Sequence, residues 1–192
     1  MKTLEYFARL EGDTLRSDPS EGADYARQVK SIEIADEHGV FVPITGIINP
    51  IFQRRSGSSG VNIFCMHALR FPSGHPIDPR NFAFGLSCIV LTNGEEFLSR
   101  VRRAPLPTGR RIDWSLIKYV NRTTYDGPLA PFLKFDTFSY QKEFRLAVSG
   151  GDVHDFDLEI GDIRDICVVV PADEINQRLR ANPSGDGFEI GH

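Results

Sequence analysis

The residues best equipped for chemistry lie between Pro131 and Val148, in the run PFLKFDTFSYQKEFRLAV. Phe132, Phe135, Phe138, Tyr140 and Phe144 are interleaved there with Lys134, Lys142, Glu143 and Arg145. From Glu143 onward, Phe144, Leu146 and Val148 alternate with Glu143, Arg145 and Ala147, the period of a half-buried strand. That period puts Glu143 and Arg145 on one face, opposite the apolar one. A carboxylate beside a guanidinium stays ionised and is held in one orientation. It suits an electrostatic stabiliser better than a proton donor. The expectation is a cleft on that face, with Glu143 and Arg145 as the catalytic pair and Lys134 and Tyr140 as ligand-binding residues. The plain alternative is an exposed Glu–Arg pair on a sheet.

Other charged groups compete for a role. Arg16, Asp18 and Glu21 fall within six residues, around Pro19 and before Gly22. They read as a capped loop, with Ser17 or Asp18 capping a turn that begins at Pro19, or as a second part of the site through Arg16. Arg54 and Arg55 precede Ser56-Gly57-Ser58-Ser59-Gly60, a flexible loop without the lysine of a phosphate-binding P-loop. Arg54 is a candidate ligand for a phosphate. Cys65 and His67 would share a strand face, a nucleophile–base spacing that core packing explains equally well. Arg100, Arg102, Arg103, Arg110 and Arg111 form the main basic cluster, read as a helix end followed by solvated loop, with a polyanion groove as the other choice.

Composition sets the frame. A chain of 192 residues with 41% hydrophobic and 25% charged content fits one soluble domain with a real core. The net charge of −4 announces no nucleic-acid partner, although a local basic patch leaves one open. The three cysteines, Cys65, Cys88 and Cys167, each sit in an apolar run. They are expected to be buried free thiols on strands in a reducing compartment, and no close ligand spacing suggests a metal. No apolar run is long enough to span a membrane, and the first residues lack a signal core, so the expected location is the cytoplasm.

The elements that must position these groups follow from the pattern. Residues 3–10 read as a short helix, and 31–34 and 40–48 as strands around the turn Asp36-Glu37-His38-Gly39. Val61 to Leu69 and Phe84 to Leu91 read as central strands. Thr92-Asn93 caps a helix with Glu95 and Glu96 in its first turn and Phe97, Leu98 and Val101 inward. Trp114 to Asn121, Phe156 to Ile160 and Ile163 to Val170 read as strands, and Ala172 to Arg180 as a last helix behind Pro171. The expectation is an α+β domain over residues 1–181, with a mixed, largely antiparallel sheet and three or four helices, and a flexible tail over 182–192.

Two resemblances attach to these motifs. Arg16 to Gly22, as Arg-x-Asp-Pro-x-Glu-Gly, and Lys134 to Arg145, as Lys…Tyr-x-x-Glu-x-Arg, with the Cys65 strand and the Phe84–Leu91 strand between them, are similar to a broad group of bacterial domains of unknown function. Gln141-Lys142-Glu143-Phe144-Arg145-Leu146 resembles the last motif of ADP-ribosyltransferase toxins that modify DNA. That second resemblance implies NAD as the nucleotide ligand and Glu143 as the carboxylate that stabilises positive charge on the ribose. It also implies Arg145, Arg16 or Arg54 on the pyrophosphate, and Tyr140 or Phe138 stacked on nicotinamide. Two other functions stand beside it. One is a non-enzymatic binding or regulatory module, in the setting of a phage–host conflict. The other is a metal-dependent phosphodiesterase using Asp126 or Asp136 with Glu143, in which Arg145 replaces the usual lysine base.

Overall fold

The computed structural model describes residues 1–10, 15–46, 51–54, 60–69, 76–150, 154–181 and 188–190, without the side chains of 51, 52, 54, 181 and 188–190. The elements are β1 (Lys2–Thr3), α1 (Leu4–Ala8), β2 (Tyr25–Gln28), β3 (Glu33–Ala35), β4 (Phe41–Pro43), β5 (Ile51–Arg54), β6 (Val61–His67), β7 (Ser87–Leu91), α2 (Gly94–Arg103), β8 (Arg111–Leu116), β9 (Lys118–Val120), β10 (Gly127–Pro128), β11 (Leu133–Phe135), β12 (Glu143–Ser149), β13 (Cys167–Pro171), α3 (Ile175–Arg178), β14 (Leu179–Ala181) and β15 (Phe188–Ile190). Short 3-10 turns at Pro79–Phe84, Asp136–Gln141, Arg164–Ile166 and Ala172–Glu174 join them. This is an α+β domain with mixed, largely antiparallel pairing. Among the described residues only β9 and β11 run parallel.

The main sheet has the order β1-β6-β12-β8. β12 is central, pairing along its whole length with β6 from Glu143↔His67 to Ser149↔Val61. On its other side it pairs with β8 from Phe144↔Leu116 to Ser149↔Arg111. The apolar side chains of β12 face α2. That helix starts where expected: the Asn93 side chain accepts from the Glu96 amide at 2.9 Å, and Arg100, Arg102 and Arg103 fill the last turn. Phe97 and Val101 of α2 pack with Leu146 and Ile166, and Trp114, Phe144 and Leu91 lean on the same cluster. Full burial of each such side chain contributes about 1.5–3 kcal/mol.

The opposite face of β12 is also covered. Ala147 packs with Leu4 of α1 and Ile63 of β6. Beyond it the segment from Asp18 to Ala23 lies over Glu143 and Arg145, with Asp18, Glu21 and Ala23 all buried. A third cluster of Ala26, Val120 and Phe135 ties β2, β9 and β11 together beside it. Gly150 ends β12 with φ 90°, and a β-carbon there would come within 2.4 Å of the Gly109 carbonyl oxygen. Only glycine lets that turn close.

Several expected elements take another form. Trp114 to Asn121 is broken at Ile117, whose amide donates to the Glu143 carbonyl while β9 leaves for β11. Phe84 to Leu91 gives a 3-10 turn and then β7, which pairs only with β13 among the described residues and so is not central. Phe156 to Ile160 forms no strand. The last helix shrinks to a 3-10 turn and the single turn of α3, because Leu179 leaves in an extended conformation to start β14. The flexible tail is corrected in part: Phe188–Ile190 pair antiparallel with β14. The Ser56–Ser59 loop and Arg55 lie outside the described residues.

Candidate functional site

Four ionised side chains meet on the covered face of β12. The Arg145 guanidinium is fully buried and grips Glu21 bidentately, Nη1 to Oε1 at 2.8 Å and Nη2 to Oε2 at 3.0 Å. Its Nη2 also donates to Glu143 Oε2 at 3.0 Å, and Nη1 to the Pro131 carbonyl. Lys134 Nζ donates to the other oxygen of Glu143 at 2.6 Å and to Gln141 Oε1 at 2.9 Å, and lies 3.7 Å from Glu21. Two cations thus balance two carboxylates, which is what lets charges persist out of water. Gln141 extends the network to the Leu15 carbonyl at 3.2 Å. The Tyr119 hydroxyl accepts from the Glu143 amide at 3.0 Å.

Local backbone explains how the groups arrive there. Lys142, between Gln141 and Glu143, has φ 44° and ψ 51°, a left-handed conformation rare outside glycine. It ends the 3-10 turn and reverses the chain into β12, with its carbonyl held by the Ala68 amide at 2.7 Å. Gln141 and Glu143 can then both reach Lys134. In the early loop, Asp18 Oδ1 accepts from the Ser20 amide at 2.9 Å, and the Asp18 carbonyl accepts from the Glu21 amide at 2.9 Å. That Asx turn around Pro19 aims Glu21 at Arg145.

The electrostatics follow from burial and partners. Burial pushes the Glu143 carboxyl up, but Lys134 and then Arg145 outweigh it and hold it below the usual carboxylate range. Burial likewise pulls Lys134 down, and Glu143 and Glu21 reverse it, leaving the ammonium above its ordinary value. Asp18 goes the other way: burial, then the nearby Glu21, push its carboxyl up. Arg145 Nε is buried without a partner among the described residues.

The expected cleft is corrected: Glu143 and Arg145 do share a face, but it is buried. The covering carboxylate, Glu21, comes from a loop that the sequence offered only as a string of charges. Lys134 converges as expected. Tyr140 stands at the edge, with the Arg80 guanidinium 3.9 Å from its ring centre and its hydroxyl 3.4 Å from Gln141 Nε2. Phe138 has Lys134 Nζ 4.9 Å from its ring centre. Arg16 turns away and is exposed, with Nη2 donating to the Phe84 carbonyl at 3.2 Å, while its neighbour Leu15 meets Gln141. Arg54 lies opposite Tyr25 in the backbone register, and its side chain lies outside the described residues.

The cysteines are free and on strands, but the expected burial is wrong. Cys65 is exposed, and Cys88 and Cys167 are half-buried. The β7–β13 ribbon has an open face, and β1 covers β6 only at Asn62 and Ile63. Cys65 sits opposite Arg145, and His67 opposite Glu143. The Cys65 sulfur lies toward the network, where desolvation pushes the thiol up to about 12 although the residue is exposed overall. A thiol held that high is not a nucleophile at neutral pH. Burial lowers the His67 imidazole, whose Nδ1 has no partner among the described residues.

The phosphodiesterase carboxylates are held elsewhere. Asp126 accepts from Tyr25 and the Gln28 amide, and Asp136 from Asn121. Among the described residues no group of three His, Cys, Asp or Glu side chains is placed to hold a metal. The basic cluster is largely neutralised locally. Arg100 pairs with Glu96 and Asp165, Arg103 with Glu96, Arg111 with Asp113, and Arg102 lies over Trp114. Among the described residues, no helix is long and apolar enough to cross a membrane. The chain matches no family model, no curated protein and no solved structure.

Proposed function

We propose that this chain is a binding or regulatory module that engages other protein through an exposed β-ribbon, and that its charged network is a clasp that keeps the scaffold in register. The observation that carries the reading is the ribbon from Lys30 to Gly46. Every residue of it is exposed, yet Ile34, Val40 and Phe41 are apolar and are 58%, 58% and 66% exposed. Apolar side chains clustered in this way mark an interaction surface. Glu33, Asp36 and Glu37 give the ribbon an acidic character that repels nucleic acid and anionic lipid, which leaves a protein surface as the partner. The network supports the same reading. Both oxygens of Glu143 and both terminal nitrogens of Arg145 are engaged within the chain. The test is the stability of Ile34→Glu and Val42→Glu. A binding element tolerates both within about 0.5 kcal/mol, as surface positions do. A loss above about 2 kcal/mol would show that the ribbon packs on its own chain, and the reading falls.

A second reading, an ADP-ribosyltransferase-like enzyme using NAD, has one specific observation in its favour. Glu143 is kept ionised on a central strand, as a stabiliser of developing positive charge must be. It requires the Asp18–Ala23 segment to leave the Glu143 face so that a nucleotide can enter. Incubation with labelled NAD and with DNA or protein acceptors tests it. Label transfer by wild type that is lost in Glu143→Gln supports the enzyme; equal inertness of both disposes of it.

A further inference from the structure

The β3–β4 ribbon has a sharply defined apolar face. The pairs Glu33↔Pro43, Ile34↔Val42 and Ala35↔Phe41 fix its register. The Ile44 amide donates to the Ile32 carbonyl at 2.8 Å, and the Asp36 amide to Val40 at 2.9 Å, which extends the ladder by one pair at each end. With a period of two, Ile32, Ile34, Val40, Val42 and Ile44 therefore share one side. They are 37%, 58%, 58%, 42% and 44% exposed. The turn is set locally, with Asp36 Oδ1 accepting from the His38 and Val40 amides and Gly39 at φ 78°. The ribbon thus holds its shape at the tip, while an isolated two-stranded hairpin in water is marginal. A face of β-branched residues is what packs onto another sheet.

The same chain carries a second open apolar face on a second ribbon. In β7–β13, Val170 is buried at 2% exposure while the opposite side shows the cross-strand pair Ile89↔Val169 at 63% and 68%. Leu86, 93% exposed, and Phe84, 37% exposed, continue that face at one end. Arg16 rests on the Phe84 carbonyl, and Arg80 lies in the same 3-10 turn. An aliphatic arm with an acidic tip and an apolar strand face with a basic border are complementary, and one molecule has both.

We propose that the chain forms a reciprocal twofold dimer in which the β3–β4 ribbon of each copy lies on the Ile89–Val169 face of the other. Area decides for reciprocity. At ~25 cal/mol per Å² and ~1.5–3 kcal/mol per side chain, a fully buried aliphatic covers roughly 60–120 Å², so the half-exposed arm face supplies on the order of 150–300 Å². A single arm-on-sheet contact then buries roughly 300–600 Å², short of the ~1,200 Å² at which stable interfaces begin. Two copies of the contact related by a twofold axis approach that limit and close the assembly. The dimer is therefore concentration-dependent. This inference rests on the reading of the ribbon as a binding element, and names its partner.

Sedimentation velocity of the full chain, from low-micromolar to submillimolar concentration, tests it. Wild type shifts from monomer to dimer across that range. Ile34→Glu with Val42→Glu, and separately Ile89→Lys with Val169→Lys, each remain monomeric, with circular dichroism unchanged. A chain carrying all four substitutions recovers dimer in part, because an acidic arm now meets a basic face. A wild type that stays monomeric overturns the inference while leaving the binding reading to a different protein. A dimer that survives either pair of substitutions overturns it as well, as does a fourfold variant that remains wholly monomeric. Unfolding of the ribbon variant, by contrast, removes the binding reading and the dimer with it.

Discussion

The covered face of β12 and the β3–β4 ribbon invert the usual partition of side chains in opposite senses. On β12, Arg145, Glu143, Glu21 and Lys134 are buried at 0%, 7%, 5% and 7% exposure. On the ribbon, five aliphatic residues stand in water. The first inversion is compensated within the chain, because each charge has an opposite partner at hydrogen-bond distance. The second has no compensation among the described residues. A self-satisfied inversion is a structural device, whereas an unsatisfied one is an invitation to a partner.

Breaking the clasp should have the largest effect. Arg145→Met leaves Glu21 and Glu143 buried with Lys134 as their sole close cation, and should cost about 3–5 kcal/mol in a urea melt. Glu21→Gln should fall in the same range, although Glu21 lies far away in sequence, because it removes the carboxylate that the Arg145 fork needs. If Glu21→Gln were neutral, the early loop would be an ornament and not half of the clasp.

pH separates the members of the network. The folded Glu143 carboxyl lies below its unfolded value, so its contribution is present above the ordinary carboxylate range and is lost as pH falls through the folded value. Asp18 has the opposite sign. Its folded value is raised, so its contribution is present below the unfolded value and is lost as pH rises through the folded one. At pH 7 the ionised Asp18 is therefore a burden. Asp18→Asn keeps the acceptor for the Ser20 amide and should raise the denaturation midpoint modestly at pH 7, with the gain shrinking toward acid pH. A midpoint lowered at pH 7 would show that the Asp18 charge holds the loop.

The smallest effect belongs to the basic cluster. Arg103→Ala and Arg111→Ala, which remove exposed partners of Glu96 and Asp113, should leave the denaturation midpoint almost unchanged. Neither should alter retention on a DNA column. A steep salt-dependent affinity for nucleic acid that is lost on these changes would move the working surface from the ribbon to α2.

Much of this was legible in the sequence. The strand period of Glu143 to Val148, the Asn93 cap and the Asp36–Gly39 turn depend on near neighbours, and they formed as read. The convergence of Lys134 on Glu143 was also expected. What was not legible was the lid. Alternating charge and apolar residues look the same whether the charged side faces water or a loop of opposite charge, and Glu21 comes to Arg145 from 124 residues away. One local hint was present: Ala147, the third residue of that face, is apolar, which fits a covered surface better than a solvated one. Cys88 misled for a related reason. A continuous apolar run suggested a central strand, but β7 is half of a two-stranded ribbon whose second face is open.

The most direct test of the central claim, that the network is a clasp and not an open catalytic pair, is a denaturant melt of Glu143→Gln. The substitution keeps shape and hydrogen-bonding capacity and removes only the charge that Lys134 and Arg145 face. A clasp predicts a loss of about 3–5 kcal/mol at neutral pH, the cost of leaving buried charge unpaired. A change below about 1 kcal/mol, the range of an exposed pair, would contradict the clasp and return Glu143 to solvent and to chemistry.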